Sequence, residues 1–420
     1  MSKILETLQP IFDEIAADAP RRERDHRFDH EAVDKLRDAG FFKIRIPKAN
    51  GGLDLSLEEA FDVLVSLAAA DSNLAQGLRP HYLAIENLRA VSQPEYRDYW
   101  LNKIATENLV VGNALTEKNN ELGDLKTRLI HDGGRLVLNG TKFYSTGALY
   151  ADIIQVLART DDDTSVYLFV DAHAPGIERI DDWHGFGQQL TASGTTHFNS
   201  VIIPPEAVEE REFGALDVAQ VHAQAHHLSS LTGIAAAIER DTIAYVRNRT
   251  RVYSHGNTDL PRYDPQIQHV VGLLASARYG SQQALSGLVR ELAVATAQSE
   301  AGKGVSEDAI EHVTLTAYLA QQVIAPTVLG AATELFEVGG ASATNQALDL
   351  DRHWRNARVL ASHNPIIFRT KIIGDVVLNG ASAQPQYLVG SVPRDKLDEA
   401  DKGGFIAALN QARQERVNAA

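Results

Sequence analysis

The hydrophobic period of this chain changes twice along its length, and that constrains the fold more than any other feature. Up to about residue 108 the apolar residues recur at helical spacing, as with Phe61, Leu64, Val65 and Ala68 on one face. From Leu109 the period moves towards two and turn signals multiply. DIIQVLA, SVYLFVD and HFNSVII read as strands, the last stopped by Pro204-Pro205. From about residue 215 the helical period returns in long stretches: HHLSSLTGIAAAIERDTIAYVRNRTRV, then 266 to 298 and 307 to 336. This pattern predicts an α+β protein with an N-terminal helical domain over 1–108, a central β-barrel over 109–214 and a C-terminal four-helix bundle over 215–420.

Local signals sharpen the outline. Asp29 is placed to cap HEAVDKLRDA, with Gly40 ending that helix. Ser56 and Glu59 form a capping-box pattern. Arg79-Pro80-His81-Tyr82 is expected to interrupt two helical runs. Asp132-Gly133-Gly134 and Asn139-Gly140 are expected to be tight turns on either side of the short strand RLVL.

The net charge of −15, with no basic tract, argues against nucleic-acid and anionic-membrane partners. MSKILETLQPIFDEI has no apolar signal core and no apolar run approaches membrane-spanning length, so a cytoplasmic protein is expected. Absence of Cys excludes disulfides, thiolate metal sites and a thiol nucleophile, and no metal-binding spacing is present. Methionine occurs once, at position 1. So little sulfur reflects either genome composition or selection on a protein made when sulfur is scarce, since Met and Cys are convenient core fillers.

Chemistry concentrates between Phe336 and Leu378. Asp351 to Leu360 reads as a helix that Asn364-Pro365 should break just after His363, because the residue before a proline is pushed out of the α region. Asp351 shares a helix face with Arg355, and Trp354 with Arg358. An imidazole and a carboxamide then stand together at a helix end, where a lone His is also often a satisfied structural residue.

This stretch resembles the C-terminal signature of the acyl-CoA dehydrogenase superfamily. A dehydrogenase usually reads R-D-A-x-x-x-x-x-Y-E-G-T here, and its Glu abstracts the substrate α-proton. RNARVLASHN puts His363 at the Tyr and Asn364 at the Glu. His363-Asn364-Pro365 is similar instead to the flavin-dependent monooxygenase branch typified by dibenzothiophene monooxygenase and sulfur-acquisition oxidoreductases. FFKIRIPKANGGLDLSLEEA also resembles a superfamily segment, here with Asn50-Gly51-Gly52. Three central segments extend the resemblance. GNALTEKNNE resembles the loop that touches the flavin ring, placing Asn113, Leu115 and Thr116 on contacts, though Lys118 and Asn119 depart from the dehydrogenase pattern. NGTKFYSTGALYAD brings Ser145 and Thr146 to the flavin edge, and DDWHGFGQQLTASGTTHFNSVIIP brings Trp183 near the ring. Any one of these could be a hairpin with polar turns; three in order are hard to obtain by chance.

Within the resemblance, His363, Asn113 and Ser145 are the catalytic candidates, with Asn364 holding His363 and touching the cofactor. His81 and Tyr82 lie where relatives keep the substrate, although His81 reads equally as a buried helix-end residue. Arg251 matches a flavin-phosphate arginine, or else is a helix-end cation. Gly340-Ala341-Ser342 stands where relatives have Gly-Ala-Arg, so Gly340 and Ser342 would have to bind phosphate through backbone amides and a hydroxyl. His226 or His227 occupies the alternative position of a dehydrogenase base, and the R-x-x-F-G that grips FAD is missing after Arg251. These features imply reduced FMN rather than FAD, supplied by a separate NAD(P)H:flavin reductase, with O₂ and a small organosulfur substrate, in a homotetramer. The competing readings are an acyl-CoA dehydrogenase, an N- or C-hydroxylase of the same branch, and a non-catalytic flavin- or acyl-CoA-binding protein.

Overall fold

The computed structural model describes residues 3–118, 125–162, 164–210, 218–300 and 304–383. Five helices open the chain: α1 (Lys3–Arg24), α2 (His30–Asp38), α3 (Leu57–Ala70), α4 (Ser72–Ala90) and α5 (Pro94–Glu107). The Asp29 carboxylate accepts from the Ala32 amide at 3.1 Å, and Gly40 takes the left-handed conformation after α2. Ser56 and Glu59 close both halves of their capping box at 3.2 and 3.1 Å. Pro80 does not interrupt a helix: α4 runs through it. A proline inside a helix costs about 3 kcal/mol. Burial offsets this, because fifteen of the nineteen residues of α4 are buried.

The central strands are β1 (Val111–Ala114), β2 (Arg128–Asp132), β3 (Arg135–Lys142), β4 (Ile153–Arg159), β5 (Ser165–Asp171), β6 (Ile177–Ile180), β7 (Thr195–Ile203) and β8 (Val208–Glu210). They form one sheet in the order β6-β7-β3-β2-β4-β5-β8, with β1 parallel to β4. Gly133 and Gly134, both at positive φ, turn β2 into β3. Asn139-Gly140 is not a turn. It is an irregularity inside β3, where the register against β7 shifts between Leu138 and Gly140. Gly140 is required there because a Cβ would lie 2.5 Å from the Thr127 hydroxyl.

The C-terminal half holds α6 (Ala219–Asn248), α7 (Pro265–Glu300), α8 (Glu307–Glu334), α9 (Arg352–His363) and α10 (Ile366–Asn379). Helix α9 ends at His363 with Asn364 extended, as the following proline requires. Among the described residues one helical run, Glu307–Val338, is long and apolar enough to cross a membrane by length and composition, contrary to expectation. It packs against α6 and α7, and Ile310, Val313, Ile324 and Val328 are buried in the bundle.

Two hydrophobic cores result. One joins α1, α3 and α6 to α9; the other lies between the sheet and α5. Helix α4 supplies Leu74, Leu78 and Tyr82 to the first and Ala84, Ile85 and Leu88 to the second.

A buried polar junction ties the parts together. The Glu23 carboxylate on α1 accepts from Asn73 on α4 (3.0 Å), and from Asn356 (2.8 Å) and Arg355 (2.7 Å) on α9. The side-chain oxygens of Asn73 and Asn356 accept from the Leu190 and Gln188 amides before β7, at 3.2 and 2.6 Å. Burial raises the Glu23 pKa, and the Asn356 and Arg355 contacts oppose that rise. Glu23→Ala would leave several donors unpaired and should cost about 3–5 kcal/mol in urea unfolding. A loss below about 1 kcal/mol would contradict this role for the junction.

Candidate active site

The loop Tyr144–Gly147 follows β3, and its backbone is pinned on both sides. Phe143 N–H donates to Thr116 O (2.8 Å), Ser145 N–H to Gly194 O (2.9 Å) and Gly147 N–H to Thr191 O (3.1 Å), while Thr146 O accepts from Asn113 N–H (3.1 Å). Tyr144 adopts a left-handed backbone at φ 55°, a strained state for a tyrosine that these bonds enforce. Gly147 is also left-handed, and a Cβ there would sit 2.3 Å from Gly77 O. A Cβ on Gly77 would in turn approach Thr191 O to 3.2 Å. Two glycines thus let α4 lie directly on this loop.

The segment Leu115–Glu117 is held by a buried ion pair. Lys142 donates to Glu117 at 2.7 Å and to Leu115 O at 3.2 Å, and Thr127 donates its hydroxyl to Glu117 at 2.7 Å. Burial opposes the Glu117 charge, but the Lys142 and Thr127 contacts hold its pKa down to about 2. Asn113, Leu115 and Thr116 are left half-buried along one edge. Ser145 is fully buried and its hydroxyl has no partner. Ser193 donates to the Thr146 hydroxyl at 3.1 Å. Trp183 donates from Nε1 to Gln188 O (2.9 Å), and its ring meets that of Tyr144 edge-on at 5.8 Å. The five residues Asn113, Leu115, Thr116, Ser145 and Thr146, with Trp183, therefore form one neighbourhood. An orphaned hydroxyl, half-buried polar and apolar side chains and a flanking indole fit a planar heterocycle with hydrogen-bonding edges such as a flavin.

His363 approaches from α9. Its ring centroid is 4.1 Å from that of His227 on α6. A chain of donors sets its tautomer. Arg369, which can only donate, binds Gln224 Oε1 and Gln321 Oε1. Gln224 Oε1 then accepts Asn364 Nδ2 (2.9 Å), and Gln321 Nε2 donates to Asn364 O (2.9 Å). Asn364 Oδ1 is left facing His363 Nδ1 at 3.4 Å, so the proton belongs on Nδ1 and Nε2 is free to accept one. His363 is exposed at its surface although protein atoms crowd it. Burial and the Arg79 charge push its pKa down to about 4, against the Asn364 contact. It is neutral at pH 7. Among the described residues no carboxylate pairs with His363 or Asn364.

One expectation is corrected. His81 and Tyr82 do not line an open space: both are buried core residues. His81 Nε2 is 2.8 Å from Phe42 O, its Nδ1 accepts from Val111 N–H (3.3 Å), and Tyr82 donates to Phe41 O (2.8 Å). The half-buried Asn364 carboxamide meets Gln224 and His363. Arg251, Gly340 and Ser342 are exposed, in the loop after α6 and in the short helical turn Gly340–Thr344. No hydrogen bond among the described residues joins them to the Ser145 neighbourhood. Asn119 lies outside the described residues. A cavity of about 430 Å³ between α1 and α6, lined by Tyr245, Arg249 and Arg352, holds none of the expected site residues.

Comparison with known proteins settles the family. The N-terminal, middle and C-terminal domain models of acyl-CoA dehydrogenase match residues 4–108, 112–201 and 226–367. The chain is 27% identical over 365 residues, 84% of its length and 89% of the relative's, to a probable FMNH₂-dependent monooxygenase, SfnC, of Pseudomonas putida. It is 27% identical over 372 residues, 84% of its length and 87% of the relative's, to dibenzothiophene monooxygenase of Rhodococcus erythropolis. The solved structure of methanesulfinate monooxygenase MsuC from Pseudomonas fluorescens superposes with a TM-score of 0.84 at 26% identity, covering 92% of this chain and 99% of the other. The chain belongs to the acyl-CoA dehydrogenase superfamily, in its flavin-dependent monooxygenase branch.

Within this superfamily frame, sequence reasoning passed over Gly77 and Ser193, and it named His227 only as a place where a base is missing. Only the small residue in an otherwise bulky stretch of α4 could have signalled Gly77. If Ser145 serves a ligand, Ser145→Ala should leave the ligand-free melting temperature unchanged or slightly higher, since an unpaired buried hydroxyl is removed. It should weaken FMN binding roughly 3–10-fold in a fluorescence titration, the worth of one hydrogen bond. Equal FMN affinity would remove Ser145 from the cofactor site.

Proposed function

We propose that the protein is the oxygenase of a two-component system, using reduced FMN and O₂ to transfer one oxygen atom to a small organosulfur compound in sulfur scavenging. The observation that carries this reading is a carboxamide, Asn364, engaged in holding a neutral histidine where a dehydrogenase would need a carboxylate base. The relatives named for FMNH₂-dependent, dibenzothiophene and methanesulfinate oxygenation support it, as does a chain with no Cys and one Met.

Bound reduced FMN supplies the electrons that activate O₂. Asn113, Thr116, Ser145 and Thr146 would hold the ring edge, Leu115 would pack on it and Trp183 would cover it. His363, with its proton fixed on Nδ1, would accept a proton at Nε2 and return it as oxygen is transferred. Asn364 would orient His363. A ring packed against Leu115 and covered by Trp183 would keep water from the reacting atoms and so limit wasteful release of peroxide.

Arg251, Gly340 and Ser342 are exposed in one chain and so available to the phosphate of a flavin held by a neighbouring subunit. That arrangement supports a homotetramer assembled through the long helices of residues 215–420, with the flavin domain over 109–214 and the helical domain over 1–108. A separate NAD(P)H:flavin reductase would deliver FMNH₂, and the pair would work in the cytoplasm. His363→Ala should fold and bind FMN but lose coupled oxygenation by roughly 10²–10⁴-fold, releasing H₂O₂ instead. Retention of more than about a third of coupled turnover in a product-per-O₂ assay would assign His363 a structural role.

A further inference from the structure

We propose that Arg79 receives an anionic head group, so that the site is built for a small organic oxyanion rather than a neutral thioether or sulfone. This rests on the monooxygenase reading only for what then happens to the anion.

Arg79 lies on α4 with 7% of its surface exposed. Its Nε has no partner, and among the described residues no hydrogen bond or ion pair engages the guanidinium. The other buried arginines each have a carboxylate or amide partner, although Arg22 Nε is also left without one. Arg22 pairs with Asp71 and Asp29, Arg45 with Glu86, Arg352 with Asp241, and Arg369 is held by Gln224 and Gln321. A buried charge without a counterion is strongly unfavourable, and a ligand anion would relieve it.

The position of Arg79 joins it to the site. Gln76, one turn earlier, also carries a buried oxygen with no partner. Gly77 between them lies on the loop that carries Ser145 and Thr146. Tyr82, three residues on, stacks on His226 at 5.9 Å, and the adjacent His227 has an unpartnered Nδ1 beside the His363 ring. Unpartnered polar groups from α4 and α6 thus gather beside the end of α9. His226, His227 and His363 are each pushed below the usual histidine range, first by burial and then in part by the Arg79 charge, so they are neutral near pH 7. Burial lowers Arg79 itself only to about 10, so it keeps its proton.

A sulfinate suits both requirements. Its two oxygens share the negative charge and can take paired guanidinium hydrogen bonds, while its sulfur retains the lone pair that receives oxygen. The balanced reaction is RSO₂⁻ + O₂ + FMNH₂ → RSO₃⁻ + FMN + H₂O. Sulfur gains one oxygen and loses two electrons, the flavin loses two electrons and both hydrogens, and the second oxygen leaves as water.

The test is calorimetric titration of full-length protein, with and without FMN, using methanesulfinate, methanesulfonate, acetate and the neutral dimethyl sulfone. Wild type should bind methanesulfinate at least tenfold more tightly than dimethyl sulfone, and methanesulfinate should raise the melting temperature. Arg79→Gln should lose at least 30-fold in methanesulfinate affinity, keep its FMN affinity and melt no lower than wild type without ligand. Arg79→Lys should recover part of the loss. Tighter binding of acetate or methanesulfonate than of methanesulfinate would keep the anion site and overturn the sulfinate assignment. Equal binding of dimethyl sulfone and methanesulfinate, or Arg79→Gln and Arg79→Lys both melting lower with FMN affinity lost, would make Arg79 structural and overturn the proposal. Because binding is read without turnover, anion binding without oxygenation would instead sink the monooxygenase reading alone.

Discussion

The structure depends on one buried carboxylate, that of Glu23. It is the common acceptor for Asn73 and for Asn356 with Arg355, and those asparagines hold the Gln188–Leu190 backbone. Through it α1, α4, α9 and the approach to β7 share one set of hydrogen bonds. The same elements carry Arg79, His363 and the loop against Ser145. A carboxylate so placed is costly to bury and stable only while each donor stays in register, so it fixes relative position as well as adding stability. The Tyr144–Gly147 loop and the histidine on α9 are thereby held at a set separation even though they belong to different parts of the chain.

Charge is distributed unevenly around this frame. Elsewhere in the interior, arginines and carboxylates are matched: Arg22 with Asp71, Arg45 with Glu86, Lys142 with Glu117. Scattered polar atoms elsewhere, such as Arg22 Nε and Ser281 Oγ, also lack partners, but around the candidate site several come together. Ser145 Oγ, Gln76 Oε1, Arg79 Nε and His227 Nδ1 are all buried without partners. Buried polar groups are nearly always paired in a folded chain, so orphans gathered from a strand-end loop and two helices are the expected mark of a ligand surface. The nearby histidines are neutral and the base position holds an amide, which removes the means of α-proton abstraction and leaves an environment suited to oxygen transfer.

Much of this was legible in the sequence because it rests on local rules. The period change separated helices from strands, Asp29 and the Ser56–Glu59 pair marked helix starts, and Asn364-Pro365 marked the end of α9 at His363. Strand β5 was read to the residue as SVYLFVD. The misreadings came where tertiary burial overrode local chemistry. Pro80 stays inside α4 because the helix is enclosed on nearly all sides, and Asn139-Gly140 is a shift in a paired strand because β7 and Thr127 lie against it. His81 and Tyr82 looked like site residues by position, but their polar atoms are spent on the backbone of Phe42, Val111 and Phe41. The unpaired state of Arg79 could not be read at all, since it depends on which carboxylates fail to reach it in three dimensions.

The central claim is that a neutral histidine and a carboxamide have replaced dehydrogenase chemistry with oxygen transfer from reduced FMN. A single-turnover reaction tests it most directly: protein loaded anaerobically with FMNH₂ is mixed with ¹⁸O₂ and methanesulfinate, and the product is read by mass spectrometry. The account predicts methanesulfonate carrying one ¹⁸O atom per FMNH₂ consumed. Unlabelled substrate with all reducing equivalents recovered as H₂O₂, together with reduction of bound oxidised flavin by an acyl-CoA in the absence of O₂, would contradict it.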